Sequence, residues 1–245
     1  KHPRPNMLDT LVADSKPAPW WNVKYKTHWL SDGSVLSGNP VFTNFLWNEI
    51  GRGVDIPQLT EWLSSNSSIV QELTTAVFAT EAPKWGDFFG EHTINLDRAK
   101  RGEILYAQNC AHCHGDAKKA WSLTASEWED LHEQAVKHGK PMPAIIDTIR
   151  LSYEEKVKDV GTDSGRRKGM KALADSLNPL AFSKTYGVVI EEQQGYVAPP
   201  LIGIWARYPY FHNNSIPNLC ALMTPPAERP QTYYSGKAIN KDTDY

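Results

Sequence analysis

Cys110-Ala111-His112-Cys113-His114 is the stretch whose side chains could do chemistry together. Two thiols separated by two residues, with an imidazole directly after, serve three known purposes. A structural zinc site needs four ligands, commonly a second cysteine pair or a paired histidine motif. The chain has only one further cysteine, Cys220. A thioredoxin-like redox pair opens a helix that follows a strand, whereas this pair follows a helical stretch. The third purpose is covalent haem attachment. Two intervening residues let both sulfurs reach the two vinyl groups on one side of a porphyrin. The next histidine then falls beneath the iron, its neutral imidazole nitrogen being a good donor. The pattern therefore predicts one covalent haem c on Cys110 and Cys113, with His114 as an axial ligand.

The elements that must position this motif are mostly helical. Asp97 to Gln108 reads as a helix that ends at the cysteine pair. Before it, Ser68 and Gln71 form a capping box ahead of Ile69, Leu73, Ala76, Val77 and Thr80, and Pro83 ends that helix. After the motif, a helix opens at Thr124 or Ser126, with Glu127 or Glu129 three residues on. It turns Trp128, Leu131 and Ala135 to one face and stops at Gly139. A fourth spans Ser164 to Leu177, with Met170, Leu173 and Leu177 inward. Tyr186 to Ile190 suits a short strand, and Leu219 to Met223 a helical turn. Residues 1–56 carry turn signals and little periodicity, and read as a loop-rich arm that packs its aromatics on the rest. The expected architecture is mainly α: an arm with helices over 1–94, and a helical haem domain with long loops and a proline-rich C-terminal wrap over 95–245.

Bulk properties narrow the function. A chain of 245 residues, 40% hydrophobic, can bury a real core. The net charge of -2 gives no global pull toward nucleic acid. No apolar run approaches the ~20 residues that cross a bilayer. The chain starts at lysine and shows no signal peptide, as a processed chain or a fragment would. Leu219-Cys220-Ala221-Leu222 places Cys220 as a small buried hydrophobe, and Met170 and Met223 read as packing.

A second axial ligand has two candidates. Met142 lies in Lys140-Pro141-Met142-Pro143, where prolines on both sides stiffen the loop. His212 lies in Tyr208-Pro209-Tyr210-Phe211-His212-Asn213-Asn214, among aromatics that would shield an iron from water.

Gly102-x-x-x-Tyr106-x-x-x-Cys110 and the Gly115 after His114 resemble the N-terminal helix and haem turn of class I cytochromes c. That resemblance implies close helix crossing at Gly102 and Tyr106 packed near the haem edge. Similar Met-Pro loops supply the distal ligand in many such cytochromes. Further on, Gly195-Tyr196-Val197-Ala198-Pro199-Pro200-Leu201-Ile202-Gly203-Ile204-Trp205 and the block Pro209 to Leu219 are similar to the C-terminal haem half of the dihaem cytochrome c peroxidase superfamily, closest to its rubber-oxygenase-like members. This implies that Trp205, Tyr210 and Phe211 belong to the haem-bearing core. In the peroxidases a methionine ligand comes some distance on; the matching position here is Pro226. In the rubber-oxygenase-like branch the ligand is a histidine, and His212 matches it. The resemblance thus favours His114/His212, with Met142 the alternative. Asn214 stands where the pattern has glycine, and asparagine tolerates a left-handed turn.

Family enzymes divide the work between an active-site haem and a relaying haem, and this chain has one attachment motif. What remains corresponds to the relaying half, so three functions stay open. The first is an electron-transfer cytochrome with no catalytic residues of its own, the relay part of a larger redox complex. The second is the C-terminal half of a dihaem peroxidase or oxygenase whose active-site haem lies on another chain or in a missing N-terminal half. The third is a haem-bearing assembly module. Basic groups at Arg98, Lys100, Arg101, Lys118 and Lys119, and at Arg166, Arg167 and Lys168, could steer an acidic redox partner, although acidic runs such as Glu127–Glu133 offset them. Thioether attachment in c-type cytochromes takes place across the membrane, which implies a periplasmic or other extracytoplasmic location.

Overall fold

The computed structural model describes residues 16, 18–41, 53–141, 145–161, 165–211 and 213–233. Two compact units emerge: Trp20–Leu201, and Lys1–Pro19 together with Ile202–Tyr245. The larger is mainly helical, the described residues of the smaller hold short helical turns set in coil, and no described helix is long and apolar enough to cross a membrane.

In the larger unit, Asp55 starts helix α1 (Ile56–Ser65) by accepting the Gln58 backbone N–H, with a proline in the first turn. This helix falls just after the stretch expected to be loop. α2 (Ser67–Phe78) has Asn66 at its N-terminal cap, two residues before the expected Ser68, and no side chain caps it, so Ser68 and Gln71 do not form their box. Its buried residue is Val70, while Ile69 and Leu73 stay exposed. Leu59 and Leu63 of α1 meet Val70 and Phe182 in one core cluster. Burying a side chain such as Leu63 stabilises by about 2 kcal/mol. Beyond a short helix α3 (Trp85–Phe89) runs α4 (Leu96–Asn109), capped by Asn95. A single turn, α5 (Ala111–His114), comes directly after it.

The capping box expected at Thr124 and Glu127 forms, and α6 (Ala125–Lys137) extends from it with Ala135 buried. α7 (Gly165–Leu177) buries Met170, Ala174 and Leu177 against Val35, Val188 and Ile190. Val35 belongs to β1 (Val35–Ser37). It pairs with the late strand β5 (Val189–Ile190), which falls inside the expected Tyr186–Ile190 run. Between these lies a short helix, α8 (Ala181–Thr185). Two further antiparallel pairs carry no clear sequence signal: β2 (Asp116–Lys119) with β3 (Ile149–Ser152), and β4 (Val157–Lys158) with β6 (Tyr196–Val197). Elements on both sides of residue 94 belong to this one unit. Gly86, for example, donates its N–H to Asp147 at 3.3 Å, and Lys140 pairs with Glu81 at 3.3 Å.

In the smaller unit, Lys16 donates to the carbonyls of Arg207 and Pro209. Tyr210, Ile216 and Ala221 form its core. Asn214 takes φ +57°, the left-handed turn that its side chain tolerates. α9 (Leu219–Met223) is the expected helical turn, capped by Asn218, but it reverses two expectations. Ala221 takes the buried position, so Cys220 is exposed and Met223 is 75% exposed. One short helix has room for only one inner face, which Leu219, Ala221 and Leu222 fill.

The arm from Trp20 is tied down by a buried carboxylate. Oε2 of Glu155 accepts the backbone N–H groups of Thr27 and His28 and the Thr27 hydroxyl, each at 2.7 Å. The Lys26 ammonium lies 3.9 Å from Oε1. Burial pulls that ammonium below its ordinary range, opposed by Glu155 and Asp32. Removing the carboxylate leaves several donors without their acceptor and the Lys26 ammonium, which donates to the Leu30 carbonyl at 3.0 Å, without its counter-charge. Glu155→Ala should therefore lower stability by about 3 kcal/mol, read as a lower urea midpoint with an unchanged slope. A midpoint equal to that of the native chain would show that water replaces the carboxylate at no cost.

Candidate haem site

α4 delivers the cysteine pair. Its last intrahelical bond runs from Cys110 N–H to the Tyr106 carbonyl at 2.8 Å. Cys110 then leaves helical geometry (φ -122°, ψ -34°), and its carbonyl receives the N–H groups of Cys113 and His114 at 3.1 and 3.0 Å. The turn therefore closes on the first cysteine, and both cysteines are half-buried with free thiols. Gly115 ends it at φ +86°. A β-carbon built there would lie 2.9 Å from the Ser152 carbonyl oxygen and 3.1 Å from Cβ of Tyr153. The left-handed backbone and the close approach of β3 both require glycine.

Tyr106, one helical turn before Cys110, reaches over the turn and donates its hydroxyl to the Gly115 carbonyl at 2.8 Å. Burial, with Cys110 and Asp116 adding to it, pushes this phenol up to about 12. It remains a neutral donor at ordinary pH. Gly102 departs from expectation: a β-carbon there meets nothing within 4 Å among the described residues, so no helix crosses closely at that point.

The decisive contact comes from far along the chain. Nδ1 of His114 lies 2.6 Å from the Pro199 carbonyl oxygen. A carbonyl only accepts, so this contact selects the tautomer with the proton on Nδ1, and in the neutral ring Nε2 keeps its lone pair. No described residue bonds Nε2. Two thiols on one turn, beside an imidazole whose tautomer is fixed in this way, form a donor set that fits haem c.

The segment that supplies this carbonyl is itself held at each residue. Val197 N–H donates to the Ser31 carbonyl at 2.9 Å. The Ala198 carbonyl accepts the Tyr153 hydroxyl, and the Pro200 carbonyl accepts Nδ2 of Asn22, each at 2.8 Å. Burial, with Glu155 adding to it, raises the Tyr153 phenol above its ordinary range. Glu103 staples the other side of the turn: its carboxylate accepts from Lys119 N–H at 2.8 Å, Trp121 Nε1 at 2.6 Å and Ser122 Oγ at 2.5 Å. Lys118, beside the motif, pairs with Glu127 at 3.5 Å, which offsets part of the basic cluster.

The structure thus brings Cys110, Cys113, His114 and Tyr106 together. Trp205, Tyr210 and Phe211 belong to the smaller unit. There Trp205 is half-buried, Tyr210 is buried and donates its hydroxyl to Ile204, and Phe211 is 49% exposed at φ +64°. His212 and Met142 lie outside the described residues. Pro199, Tyr153, Glu103 and Asn22 do not stand out in the sequence as site residues. Only Pro199 has a signal, its place in the Ala-Pro-Pro run.

Residues 97–158 match the family described as cytochrome C oxidase, cbb3-type, subunit III, and residues 195–234 match a RoxA-like, cytochrome c-like family. Two proteins of Sinorhizobium fredii (strain NBRC 101917 / NGR234) are similar. One, the uncharacterized protein y4iM, is 31% identical over 150 residues, covering 61% of this chain and 33% of that protein. The other, the uncharacterized protein y4iJ, is 47% identical over 182 residues, covering 63% and 30%. The chain thus spans about a third of the length of these curated relatives. No solved structure matches. The chain carries a cytochrome c haem domain, which implies covalently bound haem c.

Burial alone would raise the Glu103 carboxyl, but the bonds from Lys119, Ser122 and Trp121 outweigh it and hold it below its ordinary value. A folded-state value below the unfolded one, ~4.3, gives stability that is fully present above that pH. It is lost as pH falls through the lower folded value. Glu103→Gln should abolish this part of the acid dependence. Plotted against pH, the stability difference between native and variant should be constant above about 5 and shrink below about 4. A difference that stays constant through the acid range would mean the three bonds do not favour the charged form.

Proposed function

We propose that the chain is an electron-transfer cytochrome with one covalent haem c, working as the relay part of a larger redox complex outside the cytoplasm. The observation that carries this reading is the bond from His114 Nδ1 to the Pro199 carbonyl, which reserves Nε2 for iron beside two free thiols. When bound, the haem supplies a one-electron ferric–ferrous couple. Cys110 and Cys113 anchor it, His114 ligates it, and Tyr106 holds the end of the turn. His212 is the proposed second ligand, on the strength of its place in the Pro-Tyr-Phe-His block, and Met142 is the alternative. With His114 and a second residue of the chain as ligands, the protein's part would be to set the potential and exclude water rather than to bind a substrate.

A second reading is favoured by the match of residues 195–234 to the RoxA-like, cytochrome c-like family. In it, this chain is the relaying half of a dihaem peroxidase or oxygenase, and the active-site haem lies elsewhere on a longer chain or on a partner chain. Both readings share the site; they differ in what it serves.

The holoprotein mass should exceed the polypeptide mass by one haem, and acid–acetone should leave the colour on the chain. Cys110→Ala or Cys113→Ala should reduce attachment. The native protein should resist carbon monoxide and consume no peroxide, and His212→Ala should open the iron to carbon monoxide while Met142→Ala leaves the spectrum nearly unchanged. If Met142→Ala abolishes the low-spin spectrum, methionine is the ligand. If the unaltered chain binds carbon monoxide and turns over peroxide, it is an enzyme rather than a carrier.

A further inference from the structure

The geometry points to Tyr153 as a positioning residue for the axial histidine, acting through the Ala198-Pro199-Pro200 segment. The inference rests on the reading of His114 as the iron ligand. Its physical basis is the stiffness of that tripeptide. The Tyr153 hydroxyl fixes the Ala198 carbonyl at 2.8 Å, and with it the plane of the Ala198–Pro199 peptide. From that plane to the Pro199 carbonyl only two soft dihedrals intervene. The Pro199 ring locks its φ near about -65°, and Pro200 restricts its ψ to the extended range. Fixing one carbonyl therefore fixes the next, and the next is the acceptor for His114 Nδ1 at 2.6 Å.

Tyr153 also touches the other end of the same bond. Its Cβ lies 3.1 Å from where a β-carbon on Gly115, the residue after His114, would stand, beside the Ser152 carbonyl oxygen at 2.9 Å. One residue thus sets both the direction of the acceptor and the seat of the turn that carries the donor. Asn22 performs the corresponding fixation on the far side, at the Pro200 carbonyl. A well-aligned acceptor on Nδ1 raises the donor strength of the imidazole and favours ferric iron. The phenol hydroxyl of Tyr153, with no contact to the ligating nitrogen, would then contribute to the reduction potential.

Tyr153→Phe keeps the ring and the Gly115 contact and removes only the hydroxyl. In the holoprotein we expect the His114 Nδ1 proton to exchange about tenfold faster, the effect of roughly one net hydrogen bond, and the potential to become more positive. Pro199→Ala offers a second route: the Pro199 side chain is exposed, its carbonyl is retained and only the φ lock is lost, so both readouts should move the same way. Tyr186→Phe removes a remote hydroxyl that bonds Ser64 and should move neither. Native exchange and potential in Tyr153→Phe, or equal shifts in Tyr186→Phe, would overturn the role. Failure of the underlying reading looks different, because the native holoprotein would then lack a histidine-ligated low-spin spectrum before any variant is made.

Discussion

The site depends on one hydrogen bond, from the ring of His114 to the backbone carbonyl of Pro199. A histidine after a cysteine pair is only a nearby imidazole until its tautomer is chosen, and either ring nitrogen can carry the proton. The Pro199 carbonyl makes the choice, since it accepts and cannot donate. A backbone acceptor also stays neutral at every pH, so it orients the ring without adding a charge to the site. The lone pair on Nε2 is thereby fixed, on the side of the ring away from Pro199.

Much of the larger unit can be understood as holding the two partners of this bond 85 residues apart in sequence. The donor side is local: α4, the single turn α5, and the Tyr106 and Glu103 contacts that close it. The acceptor side is assembled from three distant stretches. Ser31 and Asn22 come from the N-terminal arm, Tyr153 from the segment after β3, and the Ala-Pro-Pro run from beyond α8. The buried Glu155 joins two of these, which makes the described part of the arm a support of the site. Gly33 in that arm shows the closeness of fit: a β-carbon there would come within 2.8 Å of Val197.

The donor side is legible in the sequence because its signals are local. Cysteine spacing, the helix from Asp97 to Gln108, the Thr124 box and the Met170–Leu177 face all act within a few residues, and the structure contains each of them. The acceptor side is not, because nothing in Tyr153 or Asn22 distinguishes them until the chain is folded. The short pairs β2–β3 and β4–β6 escape for the same reason: two- to four-residue strands give too few positions for an alternation to show. At α2, the apolar stripe reads one residue out of phase. Ile69 and Leu73 look inward by spacing, yet the neighbouring row at Val70 packs on Leu59 and Leu63. Cys220 and Met223 mislead similarly, in a helix too short to bury two faces.

The tautomer of His114 underlies the rest of the site, and it can be read directly from ring nitrogen shifts. In histidine labelled with ¹⁵N, the neutral ring of His114 in the chain without haem should show a protonated Nδ1 and a pyridine-type Nε2. Pro199→Ala should blur that distinction, and no other histidine should respond to the substitution. A His114 protonated at Nε2, or averaging freely between the two forms in the unaltered chain, would contradict the reserved lone pair and with it the site described here.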